Sequence, residues 1–268
     1  VALPKRENVL ERIVAAKRQE VARLRAGIPL AVLERAAAAA PPPRDFLAAL
    51  TGCPATPVIA EIKRRSPSAG ALAGEVDPAG QARAYARGGA AALSVLTDGP
   101  FFGGSLDDLR AAKAAVELPV LRKDFIVDPA QLYESRAAGA DAVLLIAAAL
   151  TSDELAELHG LACELGLAAL VEVHHERELV AALAPRPRLL GINNRDLTSL
   201  TVDLDTCLRV RPRIPAGPLV VAESGVESPA DVARLHAGGL DAFLVGSSLM
   251  RAADPAAALA ALVAAGRP

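Results

Sequence analysis

The chain has no tryptophan, only two tyrosines and five phenylalanines, and a single methionine. Such a scarcity of aromatics excludes the stacking platforms that bind single-stranded nucleic acid. Excess charge of one sign is missing as well. Basic residues number 29 and acidic residues 31, for a net charge of −2, so no nucleic-acid partner is expected. Cysteine is scarce, with Cys53, Cys163 and Cys207 scattered along the chain. That odd, irregular spacing builds neither a disulfide framework nor a metal cluster, and a reducing cytoplasm fits it. The longest apolar run, Ala142 to Leu150, falls well short of the roughly 18 residues that span a bilayer. No membrane partner is expected. Val1 to Arg6 lead into a charged amphipathic stretch without an apolar core, so no signal peptide is expected.

What the chain has in plenty is small aliphatic side chains. Hydrophobic residues make up 52% and charged residues 22%, too apolar a balance for a disordered chain. A length of 268 residues allows one domain or two at about 150 residues each. An α/β barrel of about 250 residues would fill it as one.

Residues 1–56 differ from the rest. Val9, Ile13, Val14, Val21 and Leu24 recur near helical spacing, with Lys17, Arg18 and Glu20 between them. An Ala-rich helix is predicted over Leu30 to Ala40, ended by Pro41-Pro42-Pro43. A short helix from Arg44 to Leu50 follows. This segment is expected to be a helical extension capping a barrel of residues 57–268, within one structural domain.

From Val58 onward, eight short apolar runs read as strands: Val58–Ile62, Ala91–Leu96, Pro119–Arg122, Ala142–Ile146, Ala168–Val173, Leu189–Ile192, Leu219–Ala222 and Ala242–Val245. None alternates polar with apolar, as expected of parallel strands buried on both faces. Helix starts lie between them. Asp77-Pro78, Asp128-Pro129, Ser228-Pro229 and Asp254-Pro255 each set a capping side chain before a proline. Thr151 and Glu154 have capping-box spacing. Gly139-Ala-Asp-Ala-Val-Leu-Leu145 and Gly239-Leu-Asp-Ala-Phe-Leu-Val245 are near repeats, each a helix stop feeding a strand. Eight such units argue for a closed (β/α)8 TIM barrel over an open doubly wound sheet. The dinucleotide fingerprint G-x-G-x-x-G is absent after the first strand, where Glu61 to Pro67 stand instead.

In such barrels chemistry sits where strands end. Those positions hold Glu61, Lys63 and Ser66; Lys123 and Asp124; Glu172 and His174; Asn193, Asn194 and Arg195; Glu223, Ser224 and Gly225; and Gly246, Ser247 and Ser248. Burying so many polar groups at one mouth is costly unless they work together. Singly, each has a plainer reading. Lys63 and Glu61 share one side of their strand and could simply pair. Lys123 and Asp124 could be a solvated loop pair. His174 and His175 read as surface or capping residues, and His159 and His236 as exposed helix residues. Phe101 and Phe102 could be core, or could wall a pocket for an apolar ring. The last two loops, with Ser224-Gly225 and Gly246-Ser247, suit a phosphate, with Arg195 and Lys63 supplying positive charge. The mouth is therefore expected to be cationic, holding Lys63, Lys123 and Arg195.

These residues resemble the indole-3-glycerol-phosphate synthase family. The resemblance lies in Val58-Ile-Ala-Glu-Ile-Lys-Arg-Arg-Ser-Pro-Ser68, Ser94 to Asp98 with Phe102-Gly-Gly-Ser105, Leu121-Arg-Lys-Asp-Phe125, Leu170-Val-Glu-Val-His174, Ile192-Asn-Asn-Arg-Asp-Leu197, Ala222-Glu-Ser-Gly225 and Val245 to Met250. It implies a ring closure of 1-(2-carboxyphenylamino)-1-deoxyribulose 5-phosphate to indole-3-glycerol phosphate, CO2 and water, with no metal and no organic cofactor. Carried over, Lys123 is the general acid and Glu172 the general base. Lys63 is the second ammonium, tuned by Glu61. Asn193 and Glu223 orient hydroxyls. Ser66, Arg195, Ser224, Gly225, Gly246 and Ser247 hold the phosphate, and Phe102 lies at the mouth. Two ammonium groups sharing one pocket should lower the pKa of Lys123 toward neutrality.

Three alternatives stay open. A phosphoribosylanthranilate isomerase would need a cysteine and an aspartate at strand ends, and no strand here ends in cysteine. A Schiff-base aldolase could use Lys123. A catalytically silent barrel could bind a phosphorylated ligand. The outer helices carry no large aromatic patch, so a monomer is the expectation.

Overall fold

A computed structural model describes residues 9–66, 70–71, 76–197 and 199–266. Its centre is a closed barrel of eight parallel strands. They are β1 (Val58–Ile62), β2 (Ala92–Leu96), β3 (Val120–Lys123), β4 (Ala142–Ile146), β5 (Ala168–Val173), β6 (Leu189–Asn193), β7 (Leu219–Glu223) and β8 (Ala242–Val245). Each pairs with its sequence neighbours, and β8 returns to β1 with Val58 opposite Phe243. A two-stranded ribbon, Arg65–Ser66 against Gly70–Ala71, stands after β1.

Helices α1 (Val9–Gly27), α2 (Leu30–Ala39) and α3 (Phe46–Thr51) precede the barrel. The third starts later than expected. Asp45 caps it, and Arg44 instead donates to the carbonyls of Val116 and Leu118, at 2.8 Å each. The barrel helices are α4 (Pro78–Arg87), α5 (Gly99–Phe102), α6 (Leu106–Ala115), α7 (Pro129–Ala137), α8 (Ser152–Glu164), α9 (Leu179–Leu183), α10 (Asp205–Val210), α11 (Pro229–Ala237), α12 (Ser247–Arg251) and α13 (Pro255–Ala264). Their starts follow the expected chemistry. Asp77, Asp128 and Asp254 accept backbone N–H bonds ahead of a proline, and Thr151 and Ser228 form capping boxes.

Alternation along the strands sorts the core into two layers. Inward residues, among them Ile59, Leu121, Leu144, Leu170, Val221 and Leu244, fill the barrel. Outward residues, among them Val58, Leu93, Val143, Val171, Leu190 and Phe243, pack under the helices. Small aliphatic side chains fill most of both layers, and few aromatics, among them Tyr85, Phe46 and Phe243, are needed beside them.

At the base, where strands begin, Asp141 Oδ2 accepts from Val120 N at 2.7 Å and Asp241 Oδ2 from Val220 N at 2.8 Å. The near repeat in the sequence is therefore one hydrogen bond used twice, each aspartate pinning the start of the preceding strand. His236 is exposed as expected, but His159 is not: it lies on the buried side of α8. No helix among the described residues is long and apolar enough to cross a membrane.

Candidate active site

The inward rows of the four odd-numbered strands run from an apolar residue to a charged one. Ile59 leads to Glu61, Leu121 to Lys123, Leu170 to Glu172 and Val221 to Glu223. The period of two delivers all four to the same mouth. There the Lys123 ammonium contacts Glu223 Oε2 and lies 3.3 Å from Glu172 Oε2. Lys63 Nζ donates to Glu61 Oε1 at 2.7 Å. Lys123 and Asp124 are thus no solvated pair: Lys123 is largely buried, and Asp124 is fully buried against Arg122 and Lys17.

The expected cationic mouth is corrected by this arrangement. Each ammonium has a carboxylate partner, and among the described residues Arg195 is the one cation lining the cavity without an ion pair in reach. Its Nη1 donates to the Leu200 carbonyl at 2.9 Å, and its backbone N–H to Asn193 Oδ1 at 3.0 Å. Burial lowers its pKa, opposed by the charge of Glu61.

The expected direction for Lys123 is also corrected. Burial works against its ammonium, but the carboxylates of Glu223, Glu172 and Glu61 outweigh burial and raise its pKa above the usual lysine value. The two glutamates it touches are driven apart. Burial, together with the neighbouring Glu172 charge, pushes Glu223 up to about 8 in spite of Lys123. Burial would raise Glu172 too, yet Lys123 and His174 hold it well below the usual carboxylate range. The same surroundings thus favour the ionised form of Glu172 and the protonated form of Glu223.

His174 overturns its reading as a surface or capping residue. It is 4% exposed, with Nε2 3.2 Å from Glu172 Oε1 and Nδ1 3.7 Å from Glu178 Oε2. Neither nitrogen makes a well-aligned hydrogen bond, so the contact is an ion pair. Burial alone would lower its pKa; the two carboxylates raise it to about 10. The signal was present in the sequence, since His174 continues the inward row Leu170, Glu172.

Above the charged quartet lies a cavity of about 390 Å³. One wall is apolar, made by Leu96, Phe102, Phe125, Leu144 and Ile146, and closed by Val9, Leu10 and Ile13 of α1. The Phe102 and Phe125 ring centroids are 6.1 Å apart, whereas Phe101 packs toward the core without lining the cavity. The opposite wall is polar, with Arg195, Ser224, Gly225, Gly246, Ser247, Ser248 and Arg251. Ser224 has φ of 64°, a left-handed conformation unfavourable for a side chain with Cβ. Asn194 braces it, donating Nδ2 to the Ser224 carbonyl at 3.0 Å and accepting from Cys207 N at 3.1 Å. Asn194 is thus scaffold, while Asn193 faces the cavity. The Ser66 side chain lies outside the described residues.

Two glycines work by being small. A Cβ on Gly246 would stand 2.3 Å from Glu61 Oε1, and one on Gly191 would stand 2.1 Å from Glu223 Oε1. Gly191 on β6 and Gly246 just after β8 thereby make room for carboxylates on the odd-numbered neighbours β7 and β1. Gly191, Lys17, Phe125 and Arg251 were not singled out as site residues in the sequence. Among the described residues no group of three or more His, Cys, Asp or Glu side chains is arranged to hold a metal ion. The site can therefore deliver an ammonium proton, accept a proton at an ionised carboxylate, and hold an anion at its polar wall.

A family model described as indole-3-glycerol phosphate synthase matches residues 10–262. The chain is 51% identical over 257 residues to an indole-3-glycerol phosphate synthase of Rhodopirellula baltica, an alignment covering 96% of this chain and 99% of that one. It is 50% identical over 260 residues to the Dechloromonas aromatica protein of that name, with coverage of 96% and 99%. Among solved structures, 3-hexulose-6-phosphate synthase shares the barrel, with a TM-score of 0.58 at 18% identity over 78% of this chain and 99% of that chain.

Proposed function

The chain belongs to the indole-3-glycerol phosphate synthase family, and from that premise we propose that it closes the indole ring of 1-(2-carboxyphenylamino)-1-deoxyribulose 5-phosphate, releasing CO2 and water, in tryptophan biosynthesis. The observation that carries this reading is the Lys123 ammonium held between Glu172 and Glu223 under an apolar wall. The aromatic ring lies on that wall with Phe102, and the phosphate at Ser224, Gly225, Gly246 and Ser247 with Arg195. Lys63, positioned by Glu61, faces the ring carboxylate. Asn193 and Glu223 orient the sugar hydroxyls. Residues 9–56, with α1, α2 and α3, serve as a helical extension that caps the barrel.

In the first step the ring carbon bearing the carboxylate attacks the ketone carbon. The carbonyl electron pair moves to oxygen, which takes the Lys123 proton. The raised pKa of Lys123 is no obstacle, because the oxygen becomes far more basic than an amine as the bond forms. The C–CO2 bond then breaks, returns its pair to the ring and releases CO2. In the second step the new hydroxyl leaves as water with a proton from Lys63. Glu172 removes the proton that completes the double bond. A base must be unprotonated to act, and Lys123 and His174 keep Glu172 so.

Turnover of this substrate, followed by the fluorescence of the indole product, tests the reading. Lys123→Ala and Glu172→Gln should each lower kcat by about 10²–10⁴-fold with a smaller change in ligand affinity. Comparable turnover by either variant would remove that residue from its role. No turnover by the wild-type protein would remove the function.

A further inference from the structure

The buried face of α1 is Leu10, Ile13, Lys17 and Val21. One of these four is a lysine, and it is among the most deeply buried side chains of the protein, at 1% exposed. Its ammonium lies 2.9 Å from Glu20 Oε2, 3.1 Å from Asp98 Oδ2 and 3.0 Å from Asp124 Oδ1. Burial works against the charge, but Asp124 and Asp98 outweigh it and keep Lys17 protonated.

Both aspartates hold parts of the site. Asp98 Oδ1 caps α5, accepting from Phe101 N at 2.8 Å and Phe102 N at 3.3 Å. Asp124 directly follows Lys123. Its Oδ2 accepts from Thr97 Oγ1 at 2.6 Å and Arg122 Nη2 at 2.9 Å, and its Oδ1 from Phe125 N at 2.8 Å. One cation therefore joins α1 to the segments that carry Phe102, Phe125 and Lys123. The same helix places Val9, Leu10 and Ile13 in the cavity. An apolar residue would fill position 17 with no desolvation cost. A buried ion pair there adds little stability, but it fixes which way and how far the helix sits.

We propose that Lys17 is a positioning residue for the reaction: it pins α1 across the mouth so that Ile13 and Leu10, with Phe102 and Phe125, complete the pocket for the substrate's aromatic ring. This rests on the ring-closure reading of the site.

A double-mutant cycle on the full-length chain tests it, using wild type, Lys17→Met, Ile13→Ala and the double variant. Lys17→Met should raise KM about tenfold or more, the loss of a buried apolar contact, and lower kcat by less. Ile13→Ala should raise KM by itself yet add little on the Lys17→Met background, because an unpinned helix no longer presents Ile13 to the ring. Amide exchange in α1 should quicken in Lys17→Met. Asp98→Asn is the second arm, since asparagine still caps α5 but loses the charge facing Lys17. It should raise KM about threefold, and it keeps the question answerable if Lys17→Met does not fold. Independent, multiplicative effects of Lys17→Met and Ile13→Ala, or wild-type KM in a folded Lys17→Met or in Asp98→Asn, would overturn the proposal. Absence of turnover in the wild type would instead overturn the reading beneath it.

Discussion

Asp141 and Asp241 occupy the same place in two similar segments, yet they should differ sharply in what they contribute. Asp241 is exposed and accepts Val220 N at 2.8 Å. Asp141 is 1% exposed. It accepts Val120 N at 2.7 Å, Arg44 N at 2.6 Å and Lys113 Nζ at 2.6 Å. Replacing Asp241 by alanine removes one bond to a carboxylate near water, a loss of about 1 kcal/mol. Replacing Asp141 strands two backbone donors and an ammonium, a loss of about 3–4 kcal/mol. At 2–4 °C per kcal/mol for a chain of this size, Asp141→Ala should melt roughly 5–10 °C below Asp241→Ala. Calorimetry or circular dichroism against temperature measures the difference. Both variants should keep wild-type kcat below their melting temperatures, because both sit at the base of the barrel, away from the mouth. Equal melting temperatures would show that the additional bonds of Asp141 are not what anchors this end of the barrel.

Further predictions concern the mouth. Arg195→Ala should raise KM about tenfold or more with little change in kcat, since a phosphate contact is made equally in ground and transition states; an unchanged KM removes Arg195 from the phosphate. Gly246→Ala should displace the Glu61 carboxylate and lower kcat on the order of a hundredfold, and wild-type turnover would show that Glu61 need not stay in place. His174 is protonated more readily in the folded chain than its ordinary value of 6.5, with a pKa near 10. Its pairing therefore stabilises the fold fully below about pH 6.5 and ceases to do so as pH rises through about 10. Denaturant unfolding of wild type and His174→Gln should show the widest gap at acidic to neutral pH and a narrower one near pH 10; a constant gap would mean that the imidazolium charge is not what matters.

The strands were legible because buried parallel strands are uninterrupted apolar runs. β1, β4, β5 and β8 have the bounds read from the sequence, and the other four shift by about one residue. The strand-end residues Glu61, Lys63, Lys123, Glu172, Asn193, Arg195 and Glu223 were legible for the same reason, as polar breaks in apolar rows, and all line one cavity. Lys17 was not, because a lysine among helix positions reads as solvent-facing until its burial partners Asp98 and Asp124, just past the ends of β2 and β3, are known. His174 was obscured by polar neighbours, though its row parity pointed inward. The pKa direction of Lys123 could not be read at all. It depends on how three glutamates from three other strands converge on one ammonium, and distance in space has no counterpart in sequence spacing.

On β1, β5 and β7 the one charged residue of each strand, Glu61, Glu172 or Glu223, lies in the inward row, and this has a consequence for folding. Slipping any of those strands by one residue would exchange its two faces. Glu61, Glu172 or Glu223 would then face the aliphatic layer beneath the helices, at a cost that apolar residues at the same positions would not impose. The apolar parts of these strands have no such discrimination, because both layers accept similar small aliphatic side chains. These three glutamates therefore double as a parity check on the barrel, and a variant that neutralises all three should lose fidelity of strand register along with its chemistry.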